Sequence, residues 1–75
     1  MNMQGRRPKL FDLVALTQPL ESEPVEVGDV GTVVELLGSD AAEVEFLAPD
    51  GRTLCVVTCP FTHLLVLNLQ RTRVA

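Results

Sequence analysis

The sequence lacks tryptophan and tyrosine, has two cysteines in 75 residues, and contains no long uninterrupted apolar run. Two cysteines are too few for the disulfide framework of a small secreted domain. We therefore expect Cys55 and Cys59 to be reduced. No apolar stretch reaches the roughly 18 residues that a membrane-spanning helix requires. These absences predict a soluble, cytoplasmic protein with no membrane partner.

Basic residues are missing from the middle of the chain. No lysine or arginine lies between Lys9 and Arg52, whereas all ten acidic residues lie between Asp12 and Asp50. The block from Asp12 to Asp50 therefore carries a formal charge of −10 over 39 residues, against −4 for the whole chain. One interpretation is that these acids simply solvate the surface. The other is that they form an acidic face that attracts a basic partner. The concentration of negative charge argues against direct binding of nucleic-acid phosphates.

Runs of alternating and β-branched residues, separated by turn signals, dominate the pattern. They predict five strands: Leu13–Thr17, Val30–Leu37, one around Glu43–Phe46, Thr53 to Thr58 or Cys59, and Leu64–Leu69. Pro60 should end the fourth strand, and Phe61–His63 should form a single 3₁₀ turn.

Five strands in so short a chain must curl to cover a core. The predicted fold class is therefore all-β, a small five-stranded SH3-like barrel with a tight 3₁₀ turn before the last strand. Residues 10–69 would form this barrel, residues 1–9 a flexible basic N-terminus, and residues 70–75 a flexible tail.

Two details of the strand pattern predict packing. The period of two places Val44 and Phe46 in the core, with Glu43 and Glu45 in water. Gly31 lies inside the second predicted strand, where a glycine marks a bulge or a close approach of another backbone. A ligand approaching that backbone is the functional alternative.

Cys55, Cys59 and His63 form a C-x3-C-x3-H spacing, which suggests a metal site. However, residues four apart on a strand lie about 13 Å apart, too far to share a zinc ion or a disulfide. Acidic and apolar surroundings would also raise the thiol pKa rather than lower it. We therefore expect no metal, no cofactor and no catalytic residue, and the protein is not expected to be an enzyme.

Two other kinds of partner compete with a basic protein. A nucleic-acid-associated barrel could act through the basic termini, although such sites also need stacking aromatics, so nucleic acid is the less favoured partner. Self-assembly as a homodimer or larger homo-oligomer is the second alternative. It is suggested by Leu54–Val57 and Leu64–Leu67, which look apolar on both faces.

Four segments resemble small bacterial proteins catalogued as domain of unknown function 4926. The most specific is Val27-Gly28-Asp29-Val30-Gly31-Thr32-Val33-Val34-Glu35, and the others are Asp12–Thr17, Glu43–Phe46 and Asp50–Thr53. The Gly-Asp-Val-Gly-Thr-Val block is also KOW-like. The resemblance implies an SH3-like barrel without known catalytic residues. It also implies an antitoxin or immunity role, since members are encoded beside predicted nuclease-like toxin domains.

The sequence thus predicts a non-catalytic acidic module that binds, and masks, a protein with a basic surface. The candidate partner-binding residues are acids of the central block: Glu21, Glu23, Glu26, Asp29, Glu35, Glu43 and Glu45.

Overall fold

A computed structural model describes residues 6–68, which form a single antiparallel sheet. Its elements are β1 (Leu13–Leu16), β2 (Val30–Leu37), β3 (Ala41–Leu47), β4 (Thr53–Pro60), a 3₁₀ turn (Phe61–His63) and β5 (Leu64–Val66). The strand order is β4-β3-β2-β1-β5. The prediction of five strands with a 3₁₀ turn before the last is confirmed, and membership of the SH3-like barrels stays a prediction.

The described part of the chain contains no helix that is long and apolar enough to cross a membrane. Residues 1–5 of the predicted flexible N-terminus and the whole predicted tail, 70–75, lie outside the described residues.

The core lies on one face of the sheet and draws side chains from every strand. As predicted, Val44 and Phe46 are buried, while Glu43 and Glu45 on the opposite face are only half-buried. The connection between β1 and β2 also contributes, because its Val25 is buried in the core. The complete core set is Val14, Leu16, Val25, Val33, Ala42, Val44, Phe46, Val57, Cys59, Leu64 and Val66.

The last strand is shorter than predicted because its partner is short. β5 pairs only with β1, which begins at Leu13. The N–H of Leu67 still donates to the carbonyl of Leu13, at 2.9 Å, but β1 offers no further strand residue beyond that point. The β structure therefore ends at Val66.

Two bulges interrupt the ladder, and neither lies at Gly31. Val34 is the extra residue between β2 and β3, where the register shifts after Val33, and Leu54 is the extra residue of β4 opposite β3. A bulge bends its strand and increases the local twist. These two positions therefore supply the curvature that Gly31 was expected to mark.

Gly31 instead allows residues of β3 to approach the β2 backbone closely. It lies opposite Phe46 in the β2–β3 ladder. A Cβ atom at Gly31 would lie 2.6 Å from Val44 Cγ1, 2.7 Å from the carbonyl oxygen of Glu45 and 3.0 Å from Phe46 Cδ1. The space next to Gly31 is thus filled by the core and by the β3 backbone, which leaves no room for a ligand.

Replacing Gly31 with alanine should destabilise the protein by about 1–3 kcal/mol, since a methyl group there overpacks a core that includes backbone. Urea unfolding followed by circular dichroism measures this loss. Thr32→Ala, on the opposite face of the same strand, is the control and should cost less. A Gly31→Ala protein as stable as the wild type would contradict the close contact.

Candidate functional site

Three of the predicted acids lie together on the face of the sheet opposite the core, which we call the outer face. Glu35 of β2 lies directly opposite Glu43 of β3, and Glu45 follows two residues later on β3. We refer to Glu35, Glu43 and Glu45 as the outer acidic triad. Like charges that face each other across neighbouring strands are unfavourable.

Threonines of β4 hold two members of the triad. Thr58 Oγ1 donates to Glu43 Oε2 at 2.8 Å, and Thr53 Oγ1 donates to Glu45 Oε2 at 2.5 Å. These hydrogen bonds draw both carboxylates toward β4 and leave their charges in place. Alternation with Cys55, Val57 and Cys59 indicates from the sequence that Thr58 shares the face of the two glutamates. Thr53 reaches that face only because of the bulge at Leu54, which alternation does not reveal.

The other four predicted acids belong to the connection between β1 and β2: Glu21, Glu23, Glu26 and Asp29, which we call the loop acids. All are exposed. Asp29 closes a turn, because its Oδ2 accepts the N–H of Glu26 at 2.9 Å and its own N–H donates to the Glu26 carbonyl at 2.9 Å. This connection sends Val25 into the core, so it approaches the face opposite the outer acidic triad. The structure therefore divides the predicted site into two groups.

None of these seven acids is neutralised within residues 6–68. The ion pairs of this part of the chain join Arg6 to Asp12 at 2.9 Å and Arg52 to Asp50 at 4.0 Å. Both acidic partners lie outside the predicted site. Within residues 6–68, no basic side chain therefore compensates the charge of the predicted site.

Residues 6–9, assigned by the sequence to a flexible segment, contact the domain. Arg6 pairs with Asp12, Pro8 is buried, and the Arg7 guanidinium lies 5.2 Å from the centre of the Phe61 ring. Arg7 also donates a hydrogen bond to the carbonyl of Ser39. Both arginines thus contact the domain itself, so they are less available to bind a phosphate backbone.

Asp12 is the acid whose pKa this segment lowers. Burial alone would raise the pKa of Asp12, but the hydrogen bonds from Arg6 and from the Lys9 N–H, with the positive charges of both residues, outweigh it. The Lys9 N–H lies 2.8 Å from Asp12 Oδ2.

Asp12→Asn should lower the free energy of unfolding at neutral pH by roughly 0.5–1 kcal/mol. Because the folded-state pKa is depressed, this contribution is present above the unfolded pKa of about 3.9 and disappears as the pH falls through the folded value. Urea unfolding across this range should show the two proteins converging in acid. Glu21→Gln, at an exposed acid that forms no ion pair within residues 6–68, is the control. A difference in stability between Asp12→Asn and the wild type that does not change with pH would refute the linkage.

The cysteines and the histidine do not assemble a metal site. Cys55 and Cys59 lie opposite Phe46 and Ala42 on the core face of one strand, and His63 ends the 3₁₀ turn. The His63 carbonyl accepts the N–H of Thr17 at 2.8 Å. Across residues 6–68, no three His, Cys, Asp or Glu side chains are close enough to hold a metal ion.

The surroundings of both thiols disfavour the reactive thiolate. Burial raises the pKa of Cys59 to about 11, with smaller contributions from Glu43, Cys55 and Glu23. Burial also raises the pKa of Cys55, together with the charges of Glu23 and Asp29. These carboxylates thus lie within electrostatic reach of β4, and neither thiol is activated as a nucleophile.

In the folded protein, Cys59 should react with iodoacetamide at least about tenfold more slowly than in urea, at a pH near the ordinary thiol pKa of about 8.5. A raised pKa means less thiolate, so labelling should accelerate as the pH rises toward 11. Cys55→Ser isolates Cys59, and Cys59→Ser isolates the half-buried Cys55, which should react faster. Equal rates for Cys59 in folded and unfolded protein would contradict this environment.

A pocket lies where β2 begins and the β3–β4 hairpin turns. Its volume is about 280 Å³, and it is lined by Asp29, Val30, Phe46, Leu47, Pro49 and Leu54. Val30, Leu47 and Leu54 are each about half exposed. The sequence indicates the apolar character of Leu54–Val57. It does not indicate the pocket, because residues from three separate elements form its lining.

The family comparison covers the whole of the described sheet. The model of the family described as Domain of unknown function (DUF4926) matches residues 10–66, from before β1 to the end of β5. The chain belongs to the DUF4926 family. The resemblance noted from the Gly-Asp-Val-Gly-Thr-Val block is thereby confirmed, whereas its KOW-like character stays a prediction. No curated protein and no solved structure matches this DUF4926 chain.

Proposed function

We propose that this DUF4926 protein is a non-catalytic binding module of the bacterial cytoplasm, which docks the basic surface of a partner protein through its acidic body. Masking that surface would make it an antitoxin or immunity protein. The SH3-like assignment belongs to the same proposal and is supported by the strand order and the 3₁₀ turn between β4 and β5.

The observation that carries the proposal is the unneutralised acidic surface. Residues 6–68 contain ten acidic and four basic residues, a formal charge of −6. Of the four basic residues, Arg6 is paired with Asp12, and Arg7 is held against Phe61. Such a field accelerates the approach of a basic protein and opposes that of a nucleic acid.

The arrangement of the acids supports a protein partner over a small ion. The outer acidic triad lies on one face of the sheet, where Thr53 and Thr58 bond to two of its members, whereas the connection that carries the loop acids packs its Val25 into the core on the other face. A partner that contacts both groups must be as wide as a protein surface element.

The test is affinity capture of the tagged full chain at low and high salt, with mass spectrometry of the eluate. We expect a basic protein that is recovered at low salt and lost at high salt, since exposed charges are screened. Replacing the outer acidic triad with glutamines should weaken its recovery several-fold, and the same change in the loop acids measures the other group.

Asp50→Gln is the matched control, because Asp50 is an exposed acid outside both groups. A partner that resists high salt and binds both glutamine variants fully would refute the electrostatic mechanism. Recovery of nucleic acid alone would favour the nucleic-acid-associated alternative. Recovery of an untagged copy of the same chain would favour homo-oligomerisation.

A further inference from the structure

β4 is an eight-residue strand at the edge of the sheet, and it carries no charged side chain. It pairs with β3 on one side. On its other side, no backbone group of residues 6–68 forms a hydrogen bond with it. An unpaired strand edge is a template for a further strand.

The register identifies which backbone groups are unpaired. In an antiparallel ladder, hydrogen-bonded and non-hydrogen-bonded residue pairs alternate. The Phe61 N–H donates to the Asp40 carbonyl at 2.8 Å, which makes Asp40 and Phe61 a hydrogen-bonded pair in the register of this ladder. By alternation, Cys55, Val57 and Cys59 bond to β3. The N–H and carbonyl groups of Val56 and Thr58 therefore point away from β3, toward the open edge.

Two features limit the free edge to the stretch Cys55–Cys59. The bulge at Leu54 disturbs the ladder on one side, and Pro60, which has no N–H, ends it on the other. Such limits protect an edge from unrestricted pairing. The stretch Cys55–Cys59 therefore presents two N–H groups and two carbonyl groups, those of Val56 and Thr58, in a fixed register.

Carboxylates lie beside this stretch on the outer face. Thr58 bonds to Glu43, and Val56 lies opposite Glu45. A strand added to the edge would place its outward side chains beside Thr58 and Val56, one strand away from Glu43 and Glu45. Lysine or arginine side chains can span that distance.

Extending the proposed function, we propose that the free edge of β4, Cys55–Cys59, pairs with an extended segment of the basic partner protein. The added strand carries lysine or arginine opposite Val56 and Thr58 and an uncharged residue between them. Main-chain hydrogen bonds supply the docking, and the outer-face carboxylates select a basic sequence.

The experiment titrates the ¹⁵N-labelled full chain with a short, end-blocked peptide of alternating lysine and valine, followed by NMR. We expect the largest shift changes, and slower hydrogen exchange, at the amides of Val56 and Thr58. Val56→Pro removes an edge N–H without touching the β3 ladder and should weaken binding roughly tenfold, equivalent to about 1.4 kcal/mol. Val56→Thr keeps the N–H and should bind within about twofold of the wild type.

The possible outcomes distinguish failure of the edge proposal from failure of the proposed electrostatic function. If Glu43→Gln with Glu45→Gln abolishes binding while Val56→Pro binds normally, the edge proposal is wrong and the proposed function stands. If the glutamine variant binds as tightly as the wild type and salt has no effect, the electrostatic function is wrong as well. Unchanged exchange at Val56 and Thr58 in the wild-type complex overturns the edge proposal even where Val56→Pro does not fold. A dimer in light scattering that Val56→Pro dissociates would make a second copy the occupant, which also overturns it.

Discussion

The close packing of β3 against the bare backbone of Gly31 is the constraint on which the rest of this sheet depends. Phe46 is the largest fully buried side chain, and it lies across the ladder from Gly31, which has no side chain. Val44 Cγ1, the carbonyl oxygen of Glu45 and the Phe46 ring surround the position that a Cβ atom of Gly31 would occupy, so β2 and β3 can pair this closely only where that atom is absent. A domain this small has few core residues, so one well-packed pair determines much of its stability.

The two bulges also shape the outer face of the sheet. The extra residue at Val34 shifts the register, so Glu35 lies opposite Glu43. The facing charges are unfavourable by themselves, and the hydrogen bond from Thr58 draws the Glu43 carboxylate toward β4 and away from Glu35. The bulge at Leu54 turns an apolar side chain outward beside the pocket. The position of Glu35 opposite Glu43 and the outward position of Leu54 are therefore consequences of two single-residue irregularities.

The burial and charge around β4 also determine the chemistry of its two cysteines. Burial raises the pKa of both thiols, and the charges of nearby carboxylates add to that effect, so neither thiol is activated as a nucleophile. The two arginines that precede β1 bind the domain's own Asp12 and Phe61. Neither arginine pairs with a member of the outer acidic triad or with a loop acid in the described residues.

The sequence by itself determined the strands, their turns and the inward positions of Val44 and Phe46, because alternation and turn residues are local signals. It also determined the family, through the block around Gly31. Only the tertiary structure decided that Gly31 accommodates a core side chain and that the seven acids form two groups. It also decided that the open edge belongs to Val56 and Thr58. Those features depend on bulges and on register between strands, which residues distant in the chain set together and no local pattern encodes.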